Sequence, residues 1–144
     1  MNQQNYQCSI TAGITPHEAF EYINRVNEWW AKNFEGNSDK INDVFTVRFG
    51  ETFAIFKISE LIPDKKIVWQ VTDCHLPWLQ DKTEWNGTSI VFDIIAVGDE
   101  TQVTMTHIGL VPEVECFEQC EAGWNHFIKE SLFKLLTEQA GLPQ

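Results

Sequence analysis

Alternation of apolar and polar residues divides most of the chain into strands. In "YQCSITA", Tyr6, Cys8, Ile10 and Ala12 fall on one face and Gln7, Ser9 and Thr11 on the other. That period of two predicts a half-buried strand. "VFTVRFG" repeats it with Phe45, Val47 and Phe49, and "IVWQVTD" with Ile67, Trp69 and Val71. "TSIVFDIIAVG" places Ile90, Phe92, Ile94 and Ala96 together, and "TQVTMTHIGL" sets Val103, Met105 and His107 opposite Gln102, Thr104 and Thr106. "ETFAIFKISELIP" is apolar on both faces in part. "PDKK", "GDE" and Asn86-Gly87 carry turn chemistry. "FEGNSDKIND" reads as a polar loop, and "CHLPWLQDKTEWNG" as a longer connection with two tryptophans.

Two segments change period. Thr15, Pro16 and Glu18 form a helix start, with a capping box and proline in the first turn. Ala19, Phe20, Ile23 and Val26 then follow at helical spacing, so a short helix to about Asn24 is expected. The last segment predicts the longest helix, beginning near Pro112. Its stripe is Phe117, Cys120, Trp124, Phe127, Ile128, Leu132 and Leu135. Gly141 and Pro143 mark its end.

The order is strand, helix, five strands and a long helix. Strands joined by short turns pair antiparallel. The one apolar face of such a sheet needs a cover, and the C-terminal helix is the large apolar partner available. The expected class is α+β: a curved antiparallel sheet of about six strands around a long C-terminal helix. Residues 1–144 read as one domain, with a core at about 6–140.

Composition narrows the functions. The net charge is −11, from 21 acidic and 10 basic residues. Such a surface repels phosphate backbones and anionic membranes, so neither nucleic acid nor membrane is an expected partner. The polar start "MNQQNYQCSI" lacks the pattern of a signal peptide, and no apolar run has the length of a span, so the expected location is cytoplasmic. Cys8, Cys74, Cys116 and Cys120 are then expected as reduced thiols. Cys116 and Cys120 lie one helical turn apart, without the spacing of structural zinc sites. No metal and no cofactor are expected.

Several motifs resemble a known family. They are "PHEAFEYI" (16–23), the pair Trp29-Trp30, "ELIPDKKIVW" (60–69), "TMTHIGL" (104–110) and Gly123-Trp124. In this order the chain resembles the helix-grip superfamily of START-type lipid-binding domains, birch-pollen-allergen-like proteins and aromatase/cyclases. Within it the nearest likeness is to the domain named after the activator of heat-shock-protein ATPase. The resemblance implies a cavity between sheet and long helix that takes apolar or amphipathic small molecules. The eukaryotic activators carry a further N-terminal domain that contacts the chaperone, whereas about five residues precede the first strand here. Small-molecule binding is therefore placed ahead of action on a chaperone.

The candidate site follows from phase. His107 shares its predicted face with Val103 and Met105. It reads either as a polar anchor in an apolar cavity or as a core histidine bonded to a neighbour. Trp69, Phe92, Met105 and Trp124 are inward-facing and form either a pocket wall or plain core. Trp30 and Trp78, with Trp29 and Trp85, fall in loops or at element ends, where they close a cavity mouth or cap the core. Asp73 lies on the predicted face of Ile67 and Trp69 and could approach His107. An enzyme of cyclase or hydrolase type would use His107, and needs a second group to orient it. The first expectation is a binder of an apolar or aromatic small molecule with His107, Trp69, Phe92, Met105, Trp124, Trp30 and Trp78 around it. The oligomeric state is not legible.

Overall fold

The structure, a computed structural model, describes residues 4–144. It contains strands β1 (Tyr6–Ala12), β2 (Asn33–Gly36), β3 (Val44–Phe49), β4 (Thr52–Ile62), β5 (Lys66–His75), β6 (Ser89–Val97) and β7 (Glu100–Ile108). They form one seven-stranded antiparallel sheet in the order β1-β7-β6-β5-β4-β3-β2. β2 is one strand more than the alternation predicts. It starts the segment expected as a polar loop, and pairs with β3 from Asn33↔Arg48 to Gly36↔Phe45. Its residues are exposed or half-buried. A short edge strand of that kind buries no alternate face, so backbone pairing alone defines it.

The predicted phase of β7 holds. Val103, Met105 and His107 are buried, while Thr104 and Thr106 on the other face are half-buried. Register then sets concave-face residues side by side. Tyr6, His107, Ile90, Trp69 and Ile58 lie in one cross-strand row. Cys8, Met105, Phe92 and Ile67 make the next.

Asp73 departs from its expected face. The β4–β5 register shifts between Ile55↔Asp73 and Phe56↔Val71, so Thr72 is the extra residue of a bulge. Thr72 and Asp73 are both exposed. A single inserted residue reverses the alternation beyond it.

α1 (Pro16–Asn24) has the predicted capping box: Glu18 N donates to Thr15 Oγ1 and Thr15 N to Glu18 Oε1. A one-turn helix, α2 (Val26–Trp29), follows. The C-terminal helix comprises α3 (Phe117–Trp124), a π-helical segment (Asn125–Leu132) and α4 (Phe133–Glu138). It begins at Phe117, not near Pro112. The carboxylate of Glu84, on the β5–β6 connection, accepts from Glu115 N and Cys116 N at 2.7 and 3.1 Å. Those amides are thus satisfied without another helical turn. At the far end the left-handed residue is Gln139, with φ 59°. Gly141 serves close packing instead, since a Cβ there would collide with the Glu28 carbonyl and Trp29 Cα.

The helix lies in the hollow of the sheet, which is the helix-grip arrangement. Trp29, Phe56, Ile58, Ile67, Trp69, Phe92 and Met105 have no or almost no exposure, and Ile128, Leu132 and Leu135 close over them. Each such side chain contributes about 1.5–3 kcal/mol by burial. Among the described residues no helix is long and apolar enough to cross a membrane.

Candidate functional site

A cavity of about 150 Å³ opens between the concave sheet and the C-terminal helix. Val47 and Phe49 of β3 and Phe53 and Ala54 of β4 form one side. Cys120, Gly123, Trp124 and Phe127 of the helix form the other. Trp30 comes from the residue after α2, and Leu76, Trp78 and Trp85 from the β5–β6 region. Thr52 and Gln119 complete it, so among the described residues no charged side chain lines the wall. Cavities for drug-sized ligands begin at about 300 Å³. This one is smaller because tryptophan rings fill much of the hollow: Trp30 stacks on Trp69 at 6.0 Å and on Trp29 at the same distance.

Of the residues singled out in the sequence, Trp30, Trp78 and Trp124 lie on the cavity wall. His107, Trp69, Phe92 and Met105 lie behind it, each with no solvent exposure. Trp69 meets Phe92 and Phe45 edge to face at 4.9 and 5.0 Å, and its Nε1–H has no acceptor among the described residues. Trp78 is 48% exposed and stands at the mouth.

His107 is the link between the two layers. Trp124 Nε1 donates to His107 Nδ1 at 3.1 Å, and His107 Nε2 bonds Thr88 Oγ1 at 2.9 Å. An indole N–H is a donor only, so Nδ1 must accept and the imidazole proton sits on Nε2. Nε2–H therefore donates to Thr88 Oγ1, whose own proton goes to the Trp85 carbonyl at 2.7 Å. Burial pushes the His107 pKa down to about 3, which keeps the ring neutral. The Trp85 and Trp124 rings stack at 6.0 Å, and Trp85 also meets the imidazole edge to face at 4.8 Å. One histidine thus holds two stacked wall residues, Trp124 directly and Trp85 through Thr88. Gly109 makes room for this chain: its φ is 105°, and a Cβ there would stand 2.6 Å from Thr88 Cγ2.

Trp85 and Phe127 are wall residues that the sequence reading leaves out of its ligand set. Trp85 is on a loop, where no period assigns a face, and Phe127 appears only as part of a helical stripe. Asp73 is elsewhere, its Oδ1 accepting from Cys74 N at 2.9 Å. Cys116 and Cys120, expected as free thiols, are joined as a disulfide with Cα atoms 5.7 Å apart. Cys116 is the N-cap of α3 and Cys120 lies one turn into it, which brings the pair within bridging distance. Trp85 Nε1 donates to Cys116 Sγ at 3.4 Å.

The connection that carries Trp78 and Trp85 is clasped to the start of the helix. Glu115 accepts from Gln80 N at 2.9 Å and Asp81 N at 3.2 Å, while Glu84 accepts from Glu115 N and Cys116 N. Each carboxylate thus caps the backbone of the other segment.

The family model described as activator of Hsp90 ATPase homolog 1-like protein matches residues 18–137. No curated protein matches the chain. Among solved structures, the chain is similar to the Aha1 dimer from Colwellia psychrerythraea, with TM-score 0.75 and 24% identity over 92% of this chain and 96% of that one. It is similar to protein MLL2253 from Mesorhizobium loti, with TM-score 0.69 and 13% identity over 95% and 100% of the two chains. It also resembles DynU16, a protein in the dynemicin biosynthetic locus, with TM-score 0.71 and 15% identity over 94% of this chain and 48% of that one. At these identities the structural likenesses establish the fold alone.

Proposed function

The chain belongs to the family of activator of Hsp90 ATPase homolog 1-like proteins, and from that premise we propose that it binds a small, uncharged, apolar or aromatic molecule. The observation that carries the reading is the cavity: rings from β3, β4, the helix and the β5–β6 connection converge on it, and no charged side chain among the described residues lines it. A charged ligand would lose its hydration there without a counter-charge. Its volume suits about one aromatic ring, since an apolar cavity of about 150 Å³ holds benzene.

Trp30, Trp78 and Trp124 contact the ligand in this proposal. His107 acts through Trp124, whose indole it fixes, and Trp69, Phe92 and Met105 back the wall. Native mass spectrometry of the protein taken from its own cells tests the reading. A non-covalent adduct of small, constant mass supports it. Bare protein, together with no response to single-ring aromatic probes at millimolar concentration, would sink it.

A second reading, action on a chaperone, is favoured by the family description and by Trp78, a large ring 48% exposed at the cavity mouth. A tryptophan ring, apolar in its body with a polar N–H, is a residue type enriched at protein interfaces. Addition of the protein to an Hsp90 ATPase assay distinguishes the two: a rise in turnover that Trp78→Ala abolishes supports the partner reading.

A further inference from the structure

The wall of the cavity is largely apolar. Apart from indole N–H groups, its side-chain oxygen and nitrogen atoms belong to Thr52 and Gln119. Thr52 opens β4 and pairs with Phe49 across the β3–β4 turn, while Gln119 lies in the first turn of α3. One is on the sheet side and the other on the helix side of the cavity. Thr52 is half-buried and Gln119 exposed. Deeper in, the N–H groups of Trp85 and Trp124 are already committed to Cys116 Sγ and His107 Nδ1. A ligand oxygen facing those two rings would give up its bonds to water without a free donor from either in return.

We propose that Gln119 and Thr52 form a polar rim that selects, among neutral ligands of single-ring size, those with one hydroxyl or carbonyl group. The rim rests on the small-molecule reading and names the ligand chemistry within it. The ring enters among Trp30, Trp124 and Phe127, and the oxygen stays at the mouth. Gln119 and Thr52 each offer both a donor and an acceptor, so a hydroxyl or a carbonyl is accommodated. The specificity residues therefore sit at the solvent edge, and the buried histidine serves to position the wall.

Benzyl alcohol and ethylbenzene test this, because they share a shape and differ in one hydroxyl. Both are titrated by amide and indole NMR into wild type, Gln119→Leu and Thr52→Val. Neither position is fully buried, and unchanged spectra away from the mouth confirm that the fold is kept. The alcohol is expected to bind each variant about three- to tenfold more weakly, the equivalent of one neutral hydrogen bond, while ethylbenzene does not weaken. Equal changes for both probes, or no change for the alcohol, overturn the rim and leave the small-molecule reading standing. So does a shift of the Trp30 indole N–H with the alcohol but not with ethylbenzene, because it places the hydroxyl inward. Failure of both probes to bind wild type overturns the rim, and the small-molecule reading falls with it only if native mass spectrometry also returns bare protein.

Discussion

Trp124 and His107 are bonded indole to imidazole, Nε1 to Nδ1 at 3.1 Å, in a site where neither side chain has more than 2% exposure. The bond fixes the histidine tautomer and the tryptophan orientation at once. It also ties the wall of the cavity to the sheet behind it.

Removal of the acceptor is the direct test of that bond. His107→Phe leaves the Trp124 N–H buried without a partner, at a cost of about 1–3 kcal/mol. His107→Gln retains one acceptor and one donor and is expected to lose less. Urea unfolding of both variants beside wild type measures the difference. If both variants are as stable as wild type, the bond contributes nothing.

The same histidine gives stability a pH dependence. In the folded protein its pKa lies near 3, against 6.5 in an ordinary environment. Unfolding below pH 6.5 therefore takes up a proton. The contribution of neutral His107 is full above that pH and falls as the pH drops, by up to about 1.4 kcal/mol per unit. His17 works in the opposite sense, because Asp64 raises its pKa, so the readout is the difference between wild type and His107→Gln. Between pH 6.5 and 5 wild type is expected to lose more stability than the variant. Parallel pH profiles would exclude a neutral buried imidazole.

Trp124→Ala is expected to cost about 3–5 kcal/mol, the range for truncating a large buried ring. It also enlarges the cavity on its helix side, so single-ring probes should bind more weakly through lost contacts. Thermal melting and probe titration together report both effects. Unchanged values in both would place Trp124 outside core and pocket alike.

The carboxylate clasp predicts a local effect. Glu84→Gln weakens the charge-assisted bonds to Glu115 N and Cys116 N. Amide exchange at residues 115 and 116 is expected to accelerate several-fold, while the sheet amides of β6 and β7 stay protected. Uniform acceleration across the protein would mean that Glu84 supports global stability instead.

Sequence alone determined the fold class, the inward phase of Met105 and His107, the Thr15 cap and the apolar face of the C-terminal helix. These are local: a period of two or 3.6 and a capping box are written in adjacent residues. β2 escaped because a short exposed edge strand has no alternate face to reveal it. Asp73 faces away from its strand's predicted side because the bulge at Thr72 is a property of the β4–β5 pair and not of either strand.

The site itself was decided by tertiary structure. Phase shows that His107 points inward, but not that its nitrogens meet Trp124, 17 residues along the chain, and Thr88, 19 residues before it. Trp30 and Trp69 share an inward environment, yet only the depth of packing puts one on the cavity wall and the other behind it. Loop tryptophans have no periodicity, so Trp85 became a wall residue through the Glu84 and Glu115 clasp. Backbone preference and hydrophobic period act over a few residues, whereas a cavity is the space left by side chains that meet from distant parts of the chain.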